Sequence, residues 1–167
     1  MEAVGNFSVY LAVAAFAGLA SWAAYTDYTR YIIPNRICVA IAALYPCYVI
    51  AAPQPVDWTG GLLTGLAVLG VGFVMFMRRW SGAGDVKILT VVGVWAGPNL
   101  VLPFLLMTAI AGGLVSVITA ARLYFATPNG GGEKPSIRQV SGANVPYGIA
   151  VAVGALFVAS QLLSGRS

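Results

Sequence analysis

The chain contains no histidine, and its two cysteines, Cys38 and Cys47, lack C-x-x-C spacing. A zinc centre built from cysteine and histidine therefore has no basis in the sequence. Both thiols are expected to pack as small apolar groups, and no metal or cofactor is implied. Charge is scarce as well. Only 8% of residues are charged, against about 25% in soluble domains, which excludes an ordinary soluble fold. No basic cluster is present, so the net charge of +4 gives no nucleic-acid signal and is better read loop by loop. The first apolar run is preceded by Glu2 and by no Lys or Arg. The basic n-region of a cleavable secretory signal is thus missing, and the first segment is expected to be retained.

What the chain does have is apolar length. Hydrophobic residues make up 59% of it and its mean hydropathy is +0.86, in runs near the roughly 20 residues that cross a bilayer. The reading is all-α: a polytopic integral membrane protein forming one membrane-embedded domain over residues 1–167. Segments are expected at about 7–25, 36–52, 60–77, 86–96, 100–125 and 145–163. The first is rich in Ala and Gly, which suits close helix packing in lipid. Pro34 closes the loop that follows, with Asn35 as a cap for the second segment, and Pro46 is expected to kink that segment. Val86 to Phe125 as one helix would be about 60 Å long, twice the hydrocarbon core, so a turn is expected at Gly97-Pro98-Asn99. The first half is short, and if it stops before one membrane surface its turn needs to be buried in protein. Thr127 to Asn144 is the one long polar stretch, and Pro146 lies in the first turn of the last segment.

Basic residues orient this scheme. Arg30 and Arg36, then Arg78, Arg79 and Lys87, then Arg122, Lys134 and Arg138 fall after segments one, three and five, whereas the loops after segments two and four hold no Lys or Arg. The odd loops are then cytoplasmic and both termini outside, with only Arg166 against the trend. Asp27 and Asp85, two of five acids in the chain, both fall on the cytoplasmic side, although neither entered the assignment.

Two carboxylates at one membrane surface suit amide hydrolysis. One acts as base toward a water, while the other, protonated, donates to the carbonyl and then helps the amine leave. Held close, they share one proton, and neither takes a fixed role from sequence alone. Gly82 and Gly84 let a substrate backbone approach Asp85 and tolerate conformations that other residues avoid. Lys87 either steadies the charge of the pair or meets the substrate.

Gly82-Ala83-Gly84-Asp85 matches the GxGD signature of membrane aspartic proteases. With Asp27 followed by Ile33-Pro34-Asn35, and with Val86-Lys87 after the second acid, the chain resembles the type IV prepilin peptidase family. Its small size resembles the branch serving Flp (tight-adherence) pili, and Pro146-Tyr147-Gly148 also fits the family. The resemblance implies a catalytic pair of Asp27 and Asp85, with substrate contacts from Gly82, Gly84 and Lys87. It implies prepilin substrates with a basic leader and an apolar helix, cut at the cytoplasmic face of the inner membrane, and a link to pilus assembly machinery. Larger members also methylate the new amino terminus and carry cysteine pairs; this chain has neither the cysteine pairs nor a long loop to hold them, so methyl transfer is not expected.

Plainer roles compete residue by residue. Asp85 suits a helix N-cap, and Asp27 suits a surface ion pair with Arg30. Lys87, Arg30 and Arg36 all obey the topology rule. Tyr147 suits an interfacial anchor or an orienting group, and Trp22, Trp58, Trp80 and Trp95 suit interfacial or packing positions. Asp57 falls on the opposite face and is expected to be dispensable. Two other functions fit the class: a proton-coupled transporter, whose acids would lie near midplane between repeats, and a non-catalytic assembly subunit, which would need neither acid.

Overall fold

The computed structural model describes residues 2–126 and 147–164. Among these residues the chain is all-helical: α1 (Glu2–Arg30), α2 (Asn35–Ala51), α3 (Trp58–Met77), α4 (Ala83–Ala126) and α5 (Tyr147–Leu163). Three stretches, Phe7–Arg30, Trp58–Met77 and Ala83–Arg122, are long and apolar enough to cross a membrane, and α2 and α5 are shorter apolar helices. The polar stretch with Lys134 and Arg138, the Val145-Pro146 start of the last segment, and Arg166 lie outside the described residues.

The first helix runs past its expected end at residue 25. Thr26 and Thr29 bond back to the carbonyls of Ala23 and Tyr25 at 2.9 and 2.8 Å, so their hydroxyls are satisfied within the helix. The helix closes at Tyr31, which takes a left-handed φ of 51°, and Pro34 then prevents helical backbone at Ile33. Asp27 therefore belongs to the last turns of α1 and not to a loop. Asn35 is not the cap of α2 either. Pro34 occupies that position, with no side-chain cap bond, and Asn35 is the first helical residue.

Two segments are expected over 86–96 and 100–125; within α4 (Ala83–Ala126) the structure has two helical arms separated by non-helical backbone at Gly97 (φ 60°, ψ −176°). That combination is essentially open to glycine alone, and a side chain there would cost about 1–3 kcal/mol in backbone strain. Pro98 follows, where its fixed φ suits the restart of a helix. Contact pairs give the directions. Gly61 faces Val94 and Gly72 faces Val86, so α3 runs antiparallel to the arm 83–96. Gly112 faces Ala150 and Gly154 faces Phe104, so α5 runs antiparallel to the arm 98–126. Gly148 meets Asp27, while Val9 and Leu162 line one cavity, so α5 is also antiparallel to α1. Phe16 stacks on Trp95 while Ile33, just past the end of α1, meets Gly84, so α1 is antiparallel to the arm 83–96. The chain thus reverses at Gly97. The first arm, about 21 Å long by its rise, turns at the surface of the bundle, where Gly97 is half-buried and Pro98 and Asn99 are exposed.

The core lies between α1, α2, α4 and α5 and is centred on Trp95. Its ring stacks on Phe16 at 4.4 Å, Tyr45 and Tyr48 flank it at 5.6 and 5.2 Å, and its Nε1 donates to the Ile41 carbonyl at 3.0 Å. Trp95 is thus a packing residue, whereas Trp22, Trp58 and Trp80 are exposed. Cys38 joins the core but Cys47 is exposed, contrary to the expectation that both thiols pack. Close approach relies on the glycines of α3: a Cβ at Gly61, Gly65 or Gly72 would run into Tyr45, Val94 or Val86. Gly18, in the Ala-rich first helix, faces nothing within 4 Å.

Asp57 caps α3. Its Oδ1 accepts from the Gly60 N–H at 2.8 Å and from the Thr59 hydroxyl at 2.9 Å. These bonds hold its carboxyl below the usual carboxylate range. The cap is therefore fully present above the unfolded-state pKa and is lost as pH falls through the lower folded value. Asp57→Ala is expected to lower the thermal midpoint at neutral pH, with the difference from wild type shrinking in acid, and to leave catalysis untouched. A variant whose midpoint deficit is constant with pH would contradict the role of the charge in the cap.

Candidate active site

Asp27 is buried at 7% exposure, and its Oδ2 accepts a hydrogen bond from the Gly148 N–H at 2.7 Å. Asp85 is half-buried in the first turn of α4. It is not the N-cap of that helix. Its Oδ2 reaches back to the N–H of Gly82 at 3.3 Å, as the acid of a capping box does. The two carboxylates lie at the same end of the bundle, where Ile33, six residues after Asp27, meets Gly84, the neighbour of Asp85. Their helices run in opposite directions, and their partners Gly82 and Gly148 each precede or begin a helix at this same end of the bundle.

The two motif-bearing segments are clasped together. Ile33 lies 3.5 Å from where a Cβ on Gly84 would stand, and Lys87 Nζ donates to Asn35 Oδ1 at 3.0 Å. Asn35 and Lys87 also line an apolar groove of about 400 Å³, together with Cys38, Val39, Leu69 and Thr90. A larger cavity of about 580 Å³ opens at the other end of the bundle, between Val9, Tyr48, Asp57, Asn99 and Leu162, away from Asp27 and Asp85.

The conformational reason for Gly82 and Gly84 does not hold. Among the described residues the only glycine with positive φ is Gly97. Space is the remaining reason, and it is stronger at one of them. A Cβ at Gly82 would sit 3.1 Å from Asp85 Oδ2, whereas one at Gly84 would make ordinary contact with Ile33. Lys87 is exposed but already engaged with Asn35. Tyr147 is exposed, and no described contact joins it to either acid.

Sequence reasoning missed what Gly148 does. It saw Pro146-Tyr147-Gly148 as a pattern and assigned the glycine nothing. A Cβ at this position would lie 2.7 Å from Asp27 Cβ and 2.9 Å from its Oδ2. The Lys87–Asn35 bond was equally out of reach, because its two residues are 52 positions apart. Among the described residues no group of three His, Cys, Asp or Glu side chains could hold a metal ion. The donor set is two carboxylates and backbone N–H groups, which suits proton transfer to and from a water between them.

A family model described as the type IV leader peptidase family matches residues 14–117. The match takes in more than half of the chain and both acids. No curated protein and no solved structure matches the chain.

Proposed function

We propose a function from one premise: the chain belongs to the type IV leader peptidase family. In general terms it is a membrane-embedded leader peptidase. In particular terms, it removes the basic leader from Flp-type prepilins at the cytoplasmic face of the inner membrane, by an aspartic mechanism carried by Asp27 and Asp85. The observation that supports this most is that the two acids lie at the same end of the bundle, where Ile33 meets Gly84, on helices of opposite direction, each held by a backbone N–H.

The chemistry follows from one proton shared by two carboxyls. The ionised carboxylate takes a proton from water as the water oxygen attacks the scissile carbonyl carbon. The protonated carboxyl gives its proton to the carbonyl oxygen. Collapse of the tetrahedral intermediate breaks the C–N bond as the proton taken from water goes to the leaving amine, and one hydroxyl returns its proton to the carboxylate that gave it, so the carbonyl re-forms and the pair regains its shared proton. Gly82 and Gly84 leave room for the substrate backbone beside Asp85, and Lys87, tied to Asn35, borders the approach. The decisive experiment is co-expression with a candidate Flp-type prepilin, reading loss of the leader by mass, for wild type, Asp27→Asn and Asp85→Asn. A proton-coupled transporter would instead show altered proton flux in the Asn variants, and an assembly subunit no change in processing.

The proposed topology has six crossings with both termini outside. The basic residues of the loops support it, as does the reversal of direction at Gly97. In a Cys47→Ser background, a membrane-impermeant maleimide added to intact cells is expected to label Gln54→Cys and Asn99→Cys and to spare Trp80→Cys. The opposite pattern would invert the orientation, and with it the face at which cleavage occurs.

A further inference from the structure

Gly148 lies well beyond residue 117, where the match to the family model ends. Yet among the described residues it makes the shortest hydrogen bond to either acid, a buried N–H to Oδ2 bond of 2.7 Å that spans 121 positions. We infer that Gly148 is a positioning residue: its backbone N–H fixes Asp27 Oδ2, so that Oδ1 alone faces the water and the shared proton. This rests on the peptidase reading and adds to it a part of the chain that carries no acid of the pair.

Two features of position 148 lead to this conclusion. The first N–H groups of a helix have no partner within the helix, and Gly148, second in α5, gives its N–H to the carboxylate. The backbone also approaches the acid so closely that no side chain fits. A Cβ would stand 2.7 Å from Asp27 Cβ, 2.9 Å from Oδ2 and 3.1 Å from Cγ. Because Asp27 Cβ is fixed to the α1 backbone, a methyl group here must move α5 off α1 locally and with it displace the carboxylate from its N–H partner. Misplacing a reacting group by about 1 Å costs on the order of 100-fold in rate. That cost falls on kcat, because a shifted Asp27 leaves the groove and Lys87 unaltered.

The test uses the full chain in lipid vesicles with a prepilin substrate. Gly148→Ala is expected to lower kcat by about 100-fold with KM within about threefold. Replacing the residue by glycolic acid turns the amide into an ester, removing the N–H while adding no atom to the side chain. It is expected to lower kcat by about ten- to hundredfold, the worth of a hydrogen bond to a charged group. Gly112→Ala lies on the same α4–α5 seam, facing Tyr147 and Ala150 and not Asp27, and should cleave as wild type does. The ester decides the matter if Gly148→Ala fails to fold. Wild-type kcat in the ester form overturns the inference, as does an equal loss in Gly112→Ala. Asp27→Asn in the same assay separates the two levels. If it still cuts, the peptidase pair itself is wrong; if it is silent while the ester form cuts normally, only the role of Gly148 falls.

Discussion

Asp27→Asn and Asp85→Asn are each expected to lower prepilin cleavage by about 10²–10⁴-fold, the usual worth of a general acid or base, with the protein still folded and inserted. The asparagine is close to isosteric. Its carbonyl oxygen can still accept from Gly148 at position 27 or from Gly82 at position 85, so the helix contacts survive. What it cannot do is gain or lose a proton near neutral pH. Both variants should therefore accumulate uncleaved precursor while matching wild type in membrane yield and thermal midpoint. One that still cuts at the wild-type rate would remove that acid from the mechanism. One that loses activity only together with its fold would reduce the acid to a structural role. Because the two acids work on one shared proton, the double variant should be little worse than either single one.

Trp95→Ala is expected to do the reverse, damaging the fold more than the chemistry. The indole is buried at 3% exposure, stacked on Phe16 and flanked by Tyr45 and Tyr48. Removing it opens a cavity among α1, α2 and α4, whose lining loses its dispersion contacts outright. Large-to-small changes of this kind cost about 3–5 kcal/mol, to be read as a lower thermal midpoint in detergent. Trp95 lies ten residues along its helix from Asp85, about 15 Å, so the fraction that remains folded at low temperature should cleave normally. Trp95→Phe keeps a ring against Phe16 and loses the Nε1 bond to Ile41, a smaller loss of about 1 kcal/mol. An unchanged midpoint in Trp95→Ala would mean that the aromatic cluster does not hold the helices together.

These two results separate what could be read from the chain alone from what could not. Hydropathy and scarce charge sufficed for a membrane protein made of helices, because a backbone in lipid must satisfy its own hydrogen bonds. The break at Gly97 was legible because glycine followed by proline is a local signal, acting within one turn. Asp27 and Asp85 stood out because acids are so rare in this chain. The other misreadings were local rules overruled by neighbours. The first helix passes residue 25 because two threonines bond back into it. Asn35 looked like a cap and bonds instead to Lys87, and Asp85, also a plausible cap, reaches back to Gly82.

Composition and short-range punctuation determined by themselves that the chain is built of membrane-length apolar helices, roughly where those helices lie, and which two of its five acids to propose as a pair. The tertiary structure alone decided which residues those side chains meet. Gly148 reaches Asp27 only because α5 packs antiparallel to α1, and Lys87 reaches Asn35 only because α2 and the first arm of α4 lie side by side. Helix propensity, hydropathy and capping act over a few residues to a few turns. The pairing of helices depends on which small residues permit close approach and in which direction each segment runs, and neither is written in any single stretch of the chain.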